Sequence, residues 1–199
     1  HTFGSGHSHM VGLELFIRAG GLGNVNAMLD QDVLTSNGAL RSSKLEKLEG
    51  LADILWEEYR IEKGDIIIII SNSGRNALPV EMALRAKKEG IKIIAITSLT
   101  QTKEFASRHS SGKKLFEIAD IILDNKVISG DGIMKVGNDR IGAMSSINGM
   151  FIINTVVTEA MIRAEKSGIE LPVYSSQNID SFENNDKLYK KYMGRVKLI

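Results

Sequence analysis

The sequence contains no cysteine, which excludes disulfide bonds, thiolate metal ligands and cysteine nucleophiles. The absence of cysteine is compatible with a reducing compartment, and we expect a cytoplasmic protein. A net charge of only +1 argues against a broad nucleic-acid-binding surface. The longest strongly apolar run, residues 150–157, is too short to span a bilayer, and no signal peptide is visible. We therefore expect neither a nucleic-acid partner nor a membrane partner.

The composition is that of an ordinary globular protein, with 43% hydrophobic and 25% charged residues. A chain of 199 residues is long enough for one domain with a substantial core. We predict a single domain over residues 1–180 and a helical tail over residues 181–199. Because the first residues read as the end of a strand, we also expect an upstream segment that supplies a further helix.

The most informative stretch is residues 65–76, which begins with five consecutive isoleucines after Asp65. An unbroken β-branched run of this length is typical of a strand buried on both faces, as in a parallel sheet. The run ends in small polar residues, and a helical pattern with Pro79 in its first turn begins at Asn76. In an open α/β sheet this turn lies at the carboxyl end of the strand, where its N–H groups and hydroxyls could bind an anion.

Strand and helix patterns alternate along the chain, which predicts an α/β fold. We expect three α/β/α layers and a five-stranded parallel sheet in the flavodoxin-like order 2-1-3-4-5. The first helix is predicted to reach about Ala19, and residues 24–29 should form a strand. Ser43, with Glu46 three residues later, reads as a capping box that begins another helix. Residues 125–140 read as irregular and rich in glycine.

Three short motifs together resemble the sugar isomerase (SIS) domain family. They are G-S-G-H-S at residues 4–8, S-N-S-G at residues 71–74 and A-I-T-S at residues 95–98. Longer runs, among them G-A-L-R-S-S-K-L-E and S-R-H-S-S-G-K-K-L, resemble a bacterial subgroup of phosphosugar isomerases related to phosphoheptose isomerase. The resemblance covers nearly all of residues 1–180 and implies a site for phosphorylated sugars at the strand ends.

The resemblance implies a ligand class more securely than a reaction, because SIS domains occur in isomerases, in an etherase and in regulators that only sense sugar phosphates. Our first hypothesis is aldose–ketose isomerisation of a sugar phosphate through an enediol by acid–base proton transfer. The alternatives are a non-catalytic phosphosugar sensor and a sugar-phosphate lyase or etherase. We expect no cofactor.

The ligand-binding candidates are small polar residues in the predicted turns. By resemblance, the turn after the central strand holds the phosphate, and the glycine turn near the start of the chain forms the floor of the site. The alternative is that these residues only cap and shape turns. The predicted phosphate- and sugar-binding residues are Gly4, Ser5, Gly6, Ser8, Arg41, Ser42, Ser71, Asn72, Ser73, Gly74, Asn76 and Ser145.

Isomerisation needs a base that moves a proton between C1 and C2 and an acid that opens the ring, and a glutamate with a histidine is the usual pair. By resemblance, phosphoheptose isomerase carries its glutamate on the first helix, although Glu14 lies about one turn earlier. His109 follows the fourth predicted strand and hence lies on the ligand side of the sheet. We predict Glu14, His109 and His7 as catalytic residues. The alternative for Glu14 is an ion pair with Arg18.

Two further carboxylates, Glu46 and Glu49, lie where relatives of this fold place an acid near the sugar. Glu46 reads first as a helix cap and Glu49 as a solvated side chain. His7 and His9 form an H-x-H pair without further matched ligands, so we predict no metal site.

The long helix predicted from Ser145 to about Lys166 is apolar around most of its circumference. A helix that covers one face of a sheet needs only one apolar stripe, so the remaining surface requires another partner. This partner could be the upstream helix of the same chain or a second copy. Because SIS domains commonly associate through helices, we expect a homodimer or higher homo-oligomer.

Overall fold

A computed structural model describes residues 1–179 and 183–199 of the chain. Its centre is a five-stranded parallel sheet in the order β2-β1-β3-β4-β5, which confirms the predicted fold class and strand order. The strands are β1 (Thr2–Phe3), β2 (Ala27–Met28), β3 (Ile66–Ile70), β4 (Lys92–Thr97) and β5 (Ile121–Asp124).

Helices lie on both faces of the sheet, which makes the three layers. One face packs against a large cluster that includes Trp56, Leu78 and Leu115, and the other packs against a smaller cluster around Val11 and Ile153. The helices are α1 (His9–Leu13), α2 (Ala39–Leu45), α3 (Leu51–Glu57), α4 (Ala77–Lys88), α5 (Leu99–Glu104), α6 (Leu115–Ile118), α7 (Ser145–Lys166) and α8 (Glu183–Tyr192).

The isoleucine run forms β3, the middle strand, which pairs with β1 on one side and β4 on the other. Ile67 and Ile69 are 0% exposed and belong to the larger cluster, whereas Ile70 packs in the smaller one. Successive side chains of a strand point to opposite faces, so an unbroken apolar run supplies both layers. Ile66, at the start of the strand, remains 49% exposed.

The first helix is shorter than predicted, because α1 ends at Leu13 rather than near Ala19. The following residues turn back against the C-terminal region instead of continuing the helix. Gly20 N donates a hydrogen bond to Tyr174 O at 2.9 Å, and Leu22 forms an antiparallel bridge with Val173. These tertiary hydrogen bonds take the place of the helical ones that the predicted helix would have formed up to Ala19.

The predicted capping box at Ser43 is wrong. α2 begins at Ala39 after Gly38, so Ser43 lies inside the helix, and a second helix, α3, begins only after Gly50. Gly50 has φ 90°, a left-handed conformation that interrupts the helical run and that glycine adopts at little cost. The break leaves Glu46 at the C-terminal end of α2, where its side chain is free to reach the sheet.

Residues 132–143 also differ from the predicted irregular segment, since they form an antiparallel hairpin of β6 (Gly132–Val136) and β7 (Asp139–Ala143). The hairpin leads directly into α7. Asp131 Oδ1 accepts hydrogen bonds from Met144 N at 2.9 Å and Ser145 N at 2.7 Å, which caps the amino end of α7 with a negative charge.

The C-terminal segment packs back on the sheet edge near β2. Asn26 Nδ2 donates to Arg195 O at 3.1 Å, and Arg195 forms an ion pair with Asp65 at 2.9 Å. The predicted domain boundary at residues 180 and 181 lies outside the described residues. Of the helices in the described part, none is long and apolar enough to cross a membrane.

Candidate functional site

The carboxyl ends of β1 and β3 are neighbours in the sheet, since Phe3 is paired with Ile69. The turns that follow, residues 4–8 and 71–76, therefore lie side by side. A Cβ on Gly4 would lie 2.7 Å from the backbone carbon of Ser8, so this turn closes only with glycine. Gly74 has φ 57°, and a Cβ there would lie 2.9 Å from Thr97 Oγ1. Both glycines are thus required by close packing beneath the site.

The turn after β3 is held by its own polar side chains. Ser71 Oγ accepts a hydrogen bond from Gly74 N at 3.2 Å. Asn72 donates to Gln101 Oε1 at 2.6 Å and accepts from Asn125 Nδ2 at 2.8 Å. Ser71 and Asn72 therefore shape the turn. The hydroxyl of half-buried Ser73 makes no hydrogen bond among the described residues, which leaves it available to a ligand.

Glu46 bridges the two turns. Ser5 Oγ donates to Glu46 Oε2 at 3.0 Å, and Asn76 Nδ2 donates to Glu46 Oε1 at 2.7 Å. Asn76 in turn accepts a hydrogen bond from Arg108 Nη1 at 2.9 Å. One chain of hydrogen bonds thus runs from the first turn, through a half-buried carboxylate, to the second turn and to the loop that follows α5.

Burial raises the pKa of the Glu46 carboxyl above its ordinary value, although the hydrogen bond from Ser5 and the charges of Lys47 and Arg108 oppose the shift. A carboxyl whose pKa is moved toward neutrality by burial, at the ligand-binding edge of a sheet, suits proton transfer. The sequence pattern indicated first that Glu46 caps a helix. Its carboxylate instead joins Ser5, 41 positions earlier in the chain, to Asn76, 30 positions later.

Two arginines flank the turn after β3. The Arg75 guanidinium stacks over the Phe105 ring at 5.3 Å, and its Nε is buried without a hydrogen-bond partner in the described part of the chain. Burial and the neighbouring charge of Arg108 both lower the pKa of Arg75. Neither arginine forms an ion pair with a carboxylate of the described residues. Two positive groups beside a turn rich in N–H groups favour an anion, although Glu46 offsets part of the charge of Arg108.

Comparison with known proteins identifies the family. The sequence profile of the SIS domain matches residues 1–98. A UPF0309 protein of Halalkalibacterium halodurans is 40% identical over 196 residues, which span 97% of this chain and 81% of that protein. A UPF0309 protein of Thermoanaerobacter pseudethanolicus is 41% identical over 202 residues, which span 99% and 82%. This chain belongs to the UPF0309 family of SIS-domain proteins.

A solved structure described as that of a hypothetical protein aligns with 53% of this UPF0309 chain and 52% of its own, at 26% identity. Its TM-score is 0.37, so the overlap is too partial to bear on the site.

Several of the predicted ligand-binding residues of this UPF0309 protein lie around a narrow cleft beside the two turns. Ser8, Asn72 and Ser145 line this cleft together with Asn125. Ser145 is already engaged, because its hydroxyl donates to Asp131 Oδ2 at 2.7 Å. Gly6, at the base of the first turn, has φ 57° and accepts a hydrogen bond at its carbonyl from the His9 ring.

Two predicted binding residues on α2 point to other partners. Exposed Arg41 forms an ion pair with Asp32 at 2.8 Å. Buried Ser42 donates to Val33 O at 2.7 Å and so anchors α2 to the short 3-10 turn before it. In the described part of the chain, no hydrogen bond joins either side chain to the two turns.

The three predicted catalytic residues do not converge. Glu14 accepts a hydrogen bond from Asn154 Nδ2 at 2.9 Å and forms the ion pair with Arg18 at 2.5 Å. His7 is exposed in the first turn. The His109 ring faces Glu49 and Glu81, with Nε2 3.9 Å and 3.7 Å from their carboxylate oxygens.

Sequence reasoning missed Arg108 and Asn125 as parts of the site. Arg108 stands in the S-R-H-S-S-G-K-K-L run, which carried the family resemblance, but no spacing rule connects it to Asn76, 32 residues earlier. Asn125 directly follows β5, so its position at the carboxyl edge of the sheet was the one signal that could have indicated it.

Proposed function

We propose that this chain binds a phosphorylated sugar at the carboxyl ends of β1 and β3 and catalyses aldose–ketose isomerisation through an enediol. The observation that supports the proposal most directly is the hydrogen-bonded chain Ser5–Glu46–Asn76–Arg108, which places a proton-accepting carboxylate beside a cationic, N–H-rich turn. Membership of a SIS-domain family supports the ligand class.

The phosphate would lie at the turn after β3 and the amino end of α4. Exposed N–H groups and the dipole at a helix amino end favour an anion, and here Arg75 and Arg108 add positive charge. Ser73 would add a hydroxyl. Hydrogen bonds between charged groups and a phosphate are short and strong, so these groups would supply most of the binding energy.

Glu46 would be the base that moves the proton between C1 and C2 of the open-chain sugar. Its carboxylate is half-buried, and two neutral donors, Ser5 and Asn76, orient its two oxygens. A pKa raised by burial makes the carboxylate a stronger base, which would take a proton from one carbon and return it to the neighbouring carbon. Arg108, linked to Glu46 through Asn76, would help to stabilise the enediolate charge.

Sugar phosphates should raise the melting temperature of the protein, whereas the corresponding free sugars should not. A ligand present at about 100 times its Kd adds about 2.7 kcal/mol to the free energy of unfolding. Ser73→Ala should weaken this binding by about 10-fold or more, because it removes one hydrogen bond to a charged group, worth about 1.5–3 kcal/mol. Thermal-shift titration over a panel of sugar phosphates measures both effects.

Ser36→Ala is the matched control for Ser73→Ala, because Ser36 is exposed in a 3-10 turn and its hydroxyl makes no hydrogen bond among the described residues. The phosphate assignment is wrong if Ser73→Ala, and then Ser71→Ala combined with it, leave the stabilisation by sugar phosphate unchanged.

We also propose that the chain forms a homodimer through α7. Its outer face carries exposed apolar residues at helical spacing, including Ile147, Phe151 at 73% exposure and Ile162 at 43% exposure. A shallow groove on this face is lined by Phe151, Asn154, Thr155, Thr158, Glu159 and Ile162. An antiparallel second copy would set Phe151 of each helix against Ile162 of the other and would bury this stripe symmetrically.

Phe151→Glu should convert the dimer to a monomer, because two carboxylates would then be buried at the helix crossing. Leu40→Glu is the control, since Leu40 on α2 is 72% exposed and lies outside the groove. Light scattering at micromolar concentration is the measurement. A monomer mass for the unaltered protein, or a dimer of the Phe151→Glu variant, would contradict the proposal.

A further inference from the structure

A second cluster of polar side chains lies where the loop after α5 meets the helices α3 and α4. His109 belongs to this loop, Glu49 precedes α3 and Glu81 lies on α4. One ligand atom from each of the three side chains lies within 4.8 Å of the others. His109 Nε2 is 3.9 Å from Glu49 Oε2 and 3.7 Å from Glu81 Oε1.

These distances are too long for hydrogen bonds, which join such atoms at about 2.7–3.2 Å. They are close to the separation of two ligands on one zinc ion, because bonds of about 2.0–2.2 Å in a tetrahedron place the ligand atoms about 3.3–3.6 Å apart. Small rotations of the three side chains would therefore be enough to enclose an ion.

The His109 ring nitrogen that faces the carboxylates has no hydrogen-bond partner in the described part of the chain, although the side chain is only 9% exposed. The hydrogen-bonding capacity of Nε2 is therefore unused on the side that faces the two carboxylates. The other ring nitrogen, Nδ1, lies 2.7 Å from Ser111 Oγ and accepts a hydrogen bond from Ser111 N at 3.1 Å. Metal binding at Nε2 would place the ring proton on Nδ1, where Ser111 Oγ can accept it, as the outer partner of a metal-bound histidine does.

The two carboxylates are themselves held in place. Glu49 accepts hydrogen bonds from Ser110 N and Ser110 Oγ, each at 2.7 Å. Both oxygens of Glu81 accept from Gly50 N, at 2.8 Å and 2.9 Å. Each carboxylate oxygen retains a further lone pair for a cation. The ligands are thus oriented by outer contacts before any ion arrives, which is the arrangement that metal sites require.

A cation can reach this cluster of side chains from the solvent. A cleft open to solvent borders the cluster and is lined by Glu81, His109, Arg85, Lys88 and Asp53 among others. Arg85 is already neutralised by ion pairs with Asp53 and Glu89, at 2.6 Å and 2.9 Å. Lys88 is the one cation of the cleft lining that forms no ion pair within the described residues.

We propose that Glu49, Glu81 and His109 form a binding site for a divalent transition-metal ion such as Zn²⁺. One imidazole with two carboxylates and no thiolate suits Zn²⁺ and similar borderline ions rather than soft ones. The ion would join the loop of residues 106–113 to the amino ends of α3 and α4. This loop carries Arg108, so the metal would also fix the arginine that reaches Asn76 in the sugar site. The metal site does not depend on the proposed reaction.

Isothermal titration with ZnCl₂, after removal of metals by a chelator and dialysis, tests the site on the full chain. One Zn²⁺ should bind per chain. His109→Gln and Glu81→Gln should each weaken the affinity by more than about 100-fold, since even an outer partner of a metal ligand is worth about 10–100-fold. Ser111→Ala, which removes such an outer partner, should weaken it by about 10-fold. The matched control is the double variant His7→Gln, His9→Gln, which should bind Zn²⁺ with unchanged affinity.

Limited trypsin digestion gives a second measurement, because Arg108 and Lys113 lie in the loop. Zn²⁺ should slow cleavage after both residues in the unaltered protein and leave the His109→Gln variant unprotected. The proposal is overturned if Zn²⁺ does not bind, if His109→Gln binds it equally well, or if the double histidine control loses it. Equal binding of Mg²⁺ would also overturn the role of His109, because Mg²⁺ takes oxygen ligands.

Discussion

Replacement of Glu46 by glutamine should slow proton exchange at C2 of the sugar phosphate by about 100- to 10,000-fold, the usual contribution of a positioned general base. Glutamine keeps the shape of the side chain and can still bond to Ser5 and Asn76, but it cannot accept a proton from carbon. NMR measurement of C2 proton loss in D₂O, over a panel of aldose and ketose phosphates, gives the rate.

Glu14→Gln is the matched control for this experiment, because Glu14 is bonded to Asn154 and Arg18 and not to the turns. It should leave proton exchange within about 2-fold of the unaltered protein, since it removes no group in contact with the sugar. Loss of exchange in Glu14→Gln together with retention in Glu46→Gln would reverse the assignment. Exchange with elimination instead of an isomeric product would indicate a lyase, and no exchange with any sugar phosphate would indicate a sensor.

The stability of the Glu46→Gln variant should change in the opposite direction from its activity. Burial raises the pKa of the folded carboxyl above its ordinary value of 4.5. Such a group favours the folded state below its unfolded pKa, and this contribution is lost as the pH rises through the folded pKa. Glu46 therefore costs stability at neutral pH, and glutamine avoids that cost. Urea denaturation should give an equal or higher midpoint for the variant at pH 7 and no such gain below pH 4.

Gly74→Ala should destabilise the protein strongly, with a loss of about 2–5 kcal/mol in the free energy of unfolding. A left-handed backbone costs a non-glycine residue about 1–2 kcal/mol, and overpacking costs about 1–3 kcal/mol more. Gly74 has φ 57°, and its Cβ would lie 2.9 Å from Thr97 Oγ1 and 3.2 Å from Thr102 Oγ1. Both threonines are fully buried, so they cannot easily move aside.

Gly90→Ala separates the two causes of that loss. Gly90 has φ 72° but nothing within 4 Å of its Cβ, so this variant carries the backbone cost without the collision. It should lose only about 1–2 kcal/mol. Urea denaturation of both variants measures the difference, and equal losses would show that packing beneath the turn does not limit residue 74. Gly74→Ala should also weaken sugar phosphate binding, whereas Gly90→Ala should not.

The sequence by itself determined the sheet and the position of the polar turn after its middle strand. Five isoleucines in succession can be buried only if both faces of the strand are covered, so β3 and the parallel sheet around it followed from local composition. The turn at residues 71–76 followed from the abrupt change to small polar residues and from Pro79 in the first turn of α4. Both are short-range signals, because the residues that define them are adjacent in the chain.

Only the tertiary structure decided which side chains meet at that turn. Glu46 was predicted to cap a helix, but the break before Gly50 frees its carboxylate to contact Ser5 and Asn76. His109 was predicted beside the sugar, but its loop turns the ring toward Glu49 and Glu81. These contacts join residues 28 or more positions apart, through loops whose paths depend on packing rather than on periodicity. Local patterns carry no information on such distances, so the strand and its turn were predictable and the chemistry around them was not.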